Sequence, residues 1–268
     1  MNIVRKVENL SIDHHFTEEE ILTAIKNKEF TLHYQPQVLA KNGEIIGFEA
    51  LIRWNHPDLG IIPPNDFIPL TEATGLIVPV GEWIVNTACK QIKEWQILFK
   101  KPFKIAVNLS IKQFHDYNLV NTIETALAEA DLDPQFLDIE LTESVSANIE
   151  VIMSTIKKLK DLGVGISIDD FGRGYSSLYY LKELPVNKLK LDRSFIVDIH
   201  NWKDQTIVKS MISMAKGLNL ELVAEGIETK EQMEIFSKHC DYLQGFYISK
   251  PLSKKEAKAL LKKHLLAS

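Results

Sequence analysis

The chain has 268 residues, 45% hydrophobic and 25% charged, which allows a sizeable core beneath a charged surface. Its 36 acidic residues outnumber 31 basic ones, for a net charge of −5, and this argues against a nucleic-acid polymer as partner, since such binders carry a basic face. Cys89 and Cys240 form no CxxC motif or disulfide framework, and no apolar run approaches the ~20 residues that span a bilayer. The first residues, MNIVRKVENL, also lack the apolar segment of a signal peptide. The expected location is therefore cytoplasmic, either as a free protein or as the cytoplasmic part of a membrane-bound sensor.

Residues 1–16 show no period and read as a tail or linker, with one domain from 17 to 268. Thr17 and Glu20 stand at capping-box spacing and predict a helix over TEEEILTAIKNKEF. FTLHYQPQVLA and EIIGFEALIRW are strand-like runs around Asn42-Gly43, a strong turn signal, and predict an antiparallel hairpin. An amphipathic helix is expected over 81–100. Then strand-like runs (KIAVNLS, LDIELTES, GVGISIDDF, NKLKLDRSF, LELVAEGIE, DYLQGFYIS) are separated by helical patterns at 118–130, 147–161, 175–183, 203–217 and 229–238. A Lys-rich helix closes the chain at 253–265.

Alternating strands and helices imply parallel βα units. Eight strands in about 250 residues fit an α/β fold of the (β/α)8 TIM-barrel type, with one strand antiparallel near the N-terminus. A doubly wound open sheet is disfavoured, because no glycine-rich phosphate fingerprint follows an early strand.

Polar residues with ligand or acid–base chemistry close the strand runs: Gln35, Glu49, Arg53, Asn108, Glu140, Asp169, Asp170, Lys190, Asp192, Glu225, Glu228 and Gln244. In a barrel the C-terminal strand ends converge on one mouth. Five carboxylates there (Glu49, Glu140, Asp169, Asp170, Glu225) would repel one another. Two divalent cations would nearly balance them, and oxygen-only ligands, Asn108 included, favour Mg2+ or Mn2+ over Zn2+. The eight histidines show no HxxxH spacing, which argues against a histidine-built zinc site. Paired ions are the usual apparatus of phosphodiester hydrolysis, with Arg53 and Lys190 suited to the remaining phosphate charge. Each feature alone has a plainer explanation: a strand-end acid is often a helix cap, and Asp169-Asp170 alone fits a turn.

EALIRW (49–54) resembles the signature of the EAL domain family of cyclic di-GMP phosphodiesterases. YQPQV, FIPLTEATGLIVPVGEWI, VNLS, ELTES, DDFGRGYSSL, KLKLDRSFI, AEGIET and QGFYISKPL also resemble family motifs, in family order, over about residues 18 to 266. The resemblance implies hydrolysis of cyclic di-GMP to linear pGpG in bacterial second-messenger signalling. It implies one metal on Glu49, Asn108, Glu140 and Asp169, with Asp169 shared with a second ion held by Asp170 and Glu225. Mg2+ or Mn2+ would serve and Ca2+ would inhibit.

Lys190 would then position water or phosphate, and Glu225 is a candidate general base. Gln35, Arg53, Asp192, Glu228 and Gln244 would contact substrate. Glu143 would steady the loop that begins at Phe171, where Gly172 and Gly174 allow a sharp bend. The resemblance also implies a homodimer and, in a longer protein, control by a sensory domain. Arg173 departs from the Thr or Ala usual in the family. The competing readings are an inactive EAL-type receptor for cyclic di-GMP or a protein partner, and a different metal-dependent barrel enzyme.

Overall fold

In the computed structural model, residues 15–142, 149–172, 178–198 and 200–267 are described. The strands are β1 (Phe30–Leu39), β2 (Ile45–His56), β3 (Gly60–Ile62), β4 (Lys104–Asn108), β5 (Leu137–Thr142), β6 (Gly165–Phe171), β7 (Lys188–Leu191), β8 (Glu221–Ala224) and β9 (Tyr242–Leu243). Hydrogen bonding runs in the order β1-β9-β8-β7-β6-β5-β4-β2, and β1 also pairs with β2, so eight strands close into a barrel. β1 is antiparallel to both of its neighbours, and the other pairings round the barrel are parallel. The fold is thus the expected (β/α)8 type with its one reversed strand. The short β3, absent from the sequence reading, extends β2 outside the barrel.

Local chemistry explains the entry to the barrel. Thr17 and Glu20 form the expected capping box at the start of helix Glu18–Asn27. The β1–β2 connection turns at Gly43, whose φ of 71° suits a residue without Cβ, although the loop is longer than a two-residue turn. Tyr34, Phe48 and Trp95 pack ring against ring between this hairpin and helix Ile77–Phe99.

Two helices depart from expectation. Helix Ile77–Phe99 starts earlier than residue 81, and helix Pro64–Thr74 lies in a stretch for which the sequence reading named no element. Pro64 occupies the first turn, where its missing N–H costs nothing, and buried Phe67 and Thr71 anchor the helix despite Pro69. Among the described residues, no helix is long and apolar enough to cross a membrane. Cys89 and Cys240 are buried free thiols, as the sequence led us to expect.

Candidate active site at the C-terminal mouth of the barrel

β7 carries Lys190, whose side chain is 1% exposed, into the barrel axis. Its Nζ lies 2.6 Å from Glu140 on β5, 2.6 Å from Glu225 just past β8, 3.3 Å from Asp169 on β6 and 3.8 Å from Glu49 on β2. Four carboxylates from four strands thus meet one ammonium. Asn108, at the end of β4, donates to Glu49 Oε1 at 2.6 Å. Gln244, following β9, donates to Glu49 Oε2 at 2.5 Å and to Gln35 Oε1 at 3.1 Å. Gln35 lies directly opposite Glu49 in the hairpin register.

Negative charge exceeds positive charge in this buried space. Burial opposes the charge of Lys190, but Asp169, Glu140, Glu225 and Glu49 outweigh it and hold its pKa well above the ordinary lysine range. Burial also pushes Glu140 and Glu225 well above the usual carboxylate range, with Lys190 opposing. We stand behind a charged Lys190, because each of its close partners favours the cation. The Glu225 Oε1 contact to Lys190 is an ion pair without hydrogen-bond alignment, which leaves that buried oxygen without a hydrogen-bond partner.

The paired aspartates correct one expectation. Asp169 and Asp170 were expected to close the strand run. Instead β6 runs on to Phe171, and it bulges. Ile168 aligns with Leu189 and Phe171 with Leu191, so Asp169 and Asp170 together oppose Lys190 alone. Asp170 takes a left-handed φ of 53°, and its N–H donates to Asp169 Oδ1 at 2.8 Å. Gly172 follows with φ 96°, as its expected role in bending requires. A Cβ there would run into Met211 and Phe195.

The remaining expected site residues divide. Asp192 is buried, and its Oδ1 accepts from Ser194 N at 2.9 Å, bracing the start of helix Ser194–Val197. Glu228 sits at the rim, ion-paired with Arg193 at 2.7 Å. Arg53 donates to the Ile52 carbonyl at 2.7 Å; burial pushes its pKa down, with Glu49 opposing. Glu143, Arg173 and Gly174 lie outside the described residues.

Sequence reasoning missed a second polar layer deeper in the barrel. Lys188 pairs with Asp138, which also accepts from Ser167 Oγ at 2.8 Å. These residues stand two positions before Lys190, Glu140 and Asp169, so the strand period of two would have found them. Gln37, two positions from Gln35, escaped notice in the same way. Among the described residues, no three Asp, Glu, His or Cys groups form a ready metal-binding cluster; the acids close on lysine instead.

Beside the acids, a cavity of about 680 Å3 opens between β2, helix Pro64–Thr74 and the segment after β4. Its lining includes Leu51, Pro64, Asn65, Ile68, Asn108 and Ile111. Its lining is largely apolar, with amides, Ser110 and the charged Glu72 and Lys112 at intervals, a composition that suits a planar ring carrying polar edges.

Comparison with known proteins gives a consistent result. The EAL domain family model matches residues 18–251. A bifunctional diguanylate cyclase/cyclic di-GMP phosphodiesterase from Pseudomonas aeruginosa, MucR, is 45% identical over 236 residues, covering 87% of this chain and 34% of the relative. The cyclic di-GMP phosphodiesterase NbdA of the same organism is 39% identical over 253 residues, covering 93% of this chain and 32% of its own. The chain therefore spans about a third of the length of these curated relatives. A solved structure described as the PaMucR phosphodiesterase in complex with c-di-GMP superposes with a TM-score of 0.85 at 44% identity, covering 89% of this chain and 98% of that one.

Proposed function

The chain belongs to the EAL domain family, and from that premise we propose that it hydrolyses cyclic di-GMP to linear pGpG in bacterial second-messenger signalling. The observation that carries this reading is the convergence of Glu49, Glu140, Asp169 and Glu225 on Lys190, with Asn108 and Gln244 holding Glu49. A structural ion pair needs one acid, whereas four acids around one lysine leave uncompensated negative charge ready for a cation.

The family implies divalent metal use, and the residues present fit it. The donors are all oxygens, and four carboxylates against one ammonium leave negative charge in excess. In our reading Glu49, Asn108, Glu140 and Asp169 hold one Mg2+ or Mn2+, and Asp169, Asp170 and Glu225 hold a second. Such a pair, when bound, neutralises phosphate charge and lowers the pKa of water.

The chain's own groups do the rest. Lys190 stays protonated, so it serves as a fixed positive charge toward water or phosphate rather than as a base. Glu225, 2.6 Å from Lys190 at the mouth of the barrel, is in our reading the candidate acceptor of a proton from the attacking water. Gln35, Arg53, Glu228 and Gln244 ring the mouth as substrate contacts. Asp192 acts from behind, through the backbone it braces.

Incubating the protein with cyclic di-GMP and Mg2+ or Mn2+ tests this reading, with pGpG as the expected product. Binding without turnover in saturating metal would replace it with the receptor reading, in which the same mouth holds the dinucleotide uncleaved.

A further inference from the structure

We infer that Gln37 is a positioning residue, which fixes the orientation of the Gln244 amide and thereby the place of the Glu49 carboxylate. Four side chains form one directed hydrogen-bond chain. Gln37 Nε2 donates to Gln244 Oε1 at 2.9 Å. Gln244 Nε2 then donates to Glu49 Oε2 at 2.5 Å and to Gln35 Oε1 at 3.1 Å. Gln35 Nε2 donates onward to the Ser249 carbonyl at 3.1 Å. A carboxylate only accepts, and so does a backbone carbonyl. The Glu49 and Ser249 ends are therefore fixed acceptors that favour one orientation of the Gln244 and Gln35 amides, and at Gln244 that orientation also needs a donor facing its oxygen, which Gln37 supplies.

Gln37 supplies the donor that holds Gln244 the right way round. Without it, Gln244 Oε1 loses its donor, so the amide is held from one side only, by Glu49 and Gln35, and can shift or turn its oxygen toward Glu49. That turn would place two acceptors face to face and push Glu49 from its position. Gln37 is 5% exposed, and among the described residues its side-chain hydrogen bond goes to Gln244 and to none of the acids, so it acts through Gln244. It lies on the same face of β1 as Gln35, opposite Gly47, which has no side chain to compete for the interior. Partners that orient a metal-binding group from behind commonly change affinity or activity 10- to 100-fold.

The inference rests on the proposed metal role of Glu49 and not on the identity of the substrate. Its test is a double-mutant cycle read by Mn2+ titration, without substrate, using electron paramagnetic resonance. Gln37→Met should weaken Mn2+ binding roughly 10-fold in the wild-type background and change nothing in the Gln244→Ala background. Gln37→His, which keeps an N–H at similar reach, should restore most of the affinity. Equal losses in both backgrounds, or unchanged Mn2+ binding by Gln37→Met, would overturn the role. If Gln37→Met fails to fold, the His variant decides: wild-type affinity supports the role, and a loss as large as that of Gln244→Ala overturns it. Cyclic di-GMP hydrolysis is assayed alongside. A wild-type protein that binds Mn2+ with the expected coupling but makes no pGpG sinks the enzymatic reading and leaves the amide chain standing. A wild-type protein that binds no Mn2+ overturns both.

Discussion

At the scale of single residues, the sign of the buried charge decides what each substitution does. The site holds four acids against one lysine, so removing an acid and removing the lysine are not equivalent. Glu49→Ala removes a repulsive charge, and Asn108 and Gln244 retain space to find other partners. It should cost about 100-fold or more in turnover while the urea midpoint stays near that of the wild type. Lys190→Met keeps the length of the side chain but leaves four carboxylates facing one another. It should lose turnover and also destabilise the fold by about 3 kcal/mol or more, read by urea denaturation at neutral pH without divalent ions. A Lys190→Met protein as stable as wild type would mean that the acids are compensated by something other than this ammonium. The sequence made these residues visible because each closes a strand run. Strand-end position reports height along the barrel axis but not the direction of a side chain. Asp192 and Glu228 close strand runs as Glu140 does, yet Asp192 accepts from Ser194 N and Glu228 pairs with Arg193.

At the scale of elements, the informative feature is the bulge in β6. Local sequence showed two adjacent acids and a following glycine, but pairing register belongs to two strands at once and is not written in either. The extra residue lets Asp169 and Asp170 share one partner position, at the cost of a left-handed Asp170. This separates the backbone role of position 170 from its side-chain role. Asp170→Gly removes the side chain and relieves the left-handed strain, whereas Asp170→Ala removes the side chain and keeps the strain. The glycine variant should be more stable than the alanine variant by roughly 1 kcal/mol, and both should lose activity. Equal thermal midpoints would show that the bulge relaxes when the carboxylate is gone. The hairpin was legible from its turn residues, and helix Pro64–Thr74 was not, because tertiary burial of Phe67 and Thr71 overrides a proline-rich local signal.

At the scale of the whole molecule, the count of alternating strands and helices was enough to expect a barrel, while closure depends on β1 pairing backwards with both β2 and β9. That closure joins the first strand to the last, so the barrel has no open edge and its parts depend on one another. The two cysteines, in elements far apart in the chain, test this dependence. Cys89 lies inside helix Ile77–Phe99, and Cys240 lies between helix Lys230–Phe236 and β9. Burial pushes both thiols up to about 12, with Asp241 adding to the effect at Cys240. A raised thiol pKa means that the reactive thiolate is scarce below it; at pH 8 the fraction is about one in ten thousand, far below that of a free cysteine. Native protein at pH 8 should therefore react very slowly with a thiol reagent. Labelling should speed up as pH rises toward 12, or once the chain is unfolded. In a urea series the two thiols should become reactive over the same concentration range, coincident with loss of the circular dichroism signal, because a closed barrel exposes neither site alone. If Cys240 became reactive at clearly lower urea than Cys89, the β8–β9–β1 seam would open separately. Since Gln244 follows β9 and Gln35 lies on β1, that seam would then be the place where the active-site mouth comes apart first.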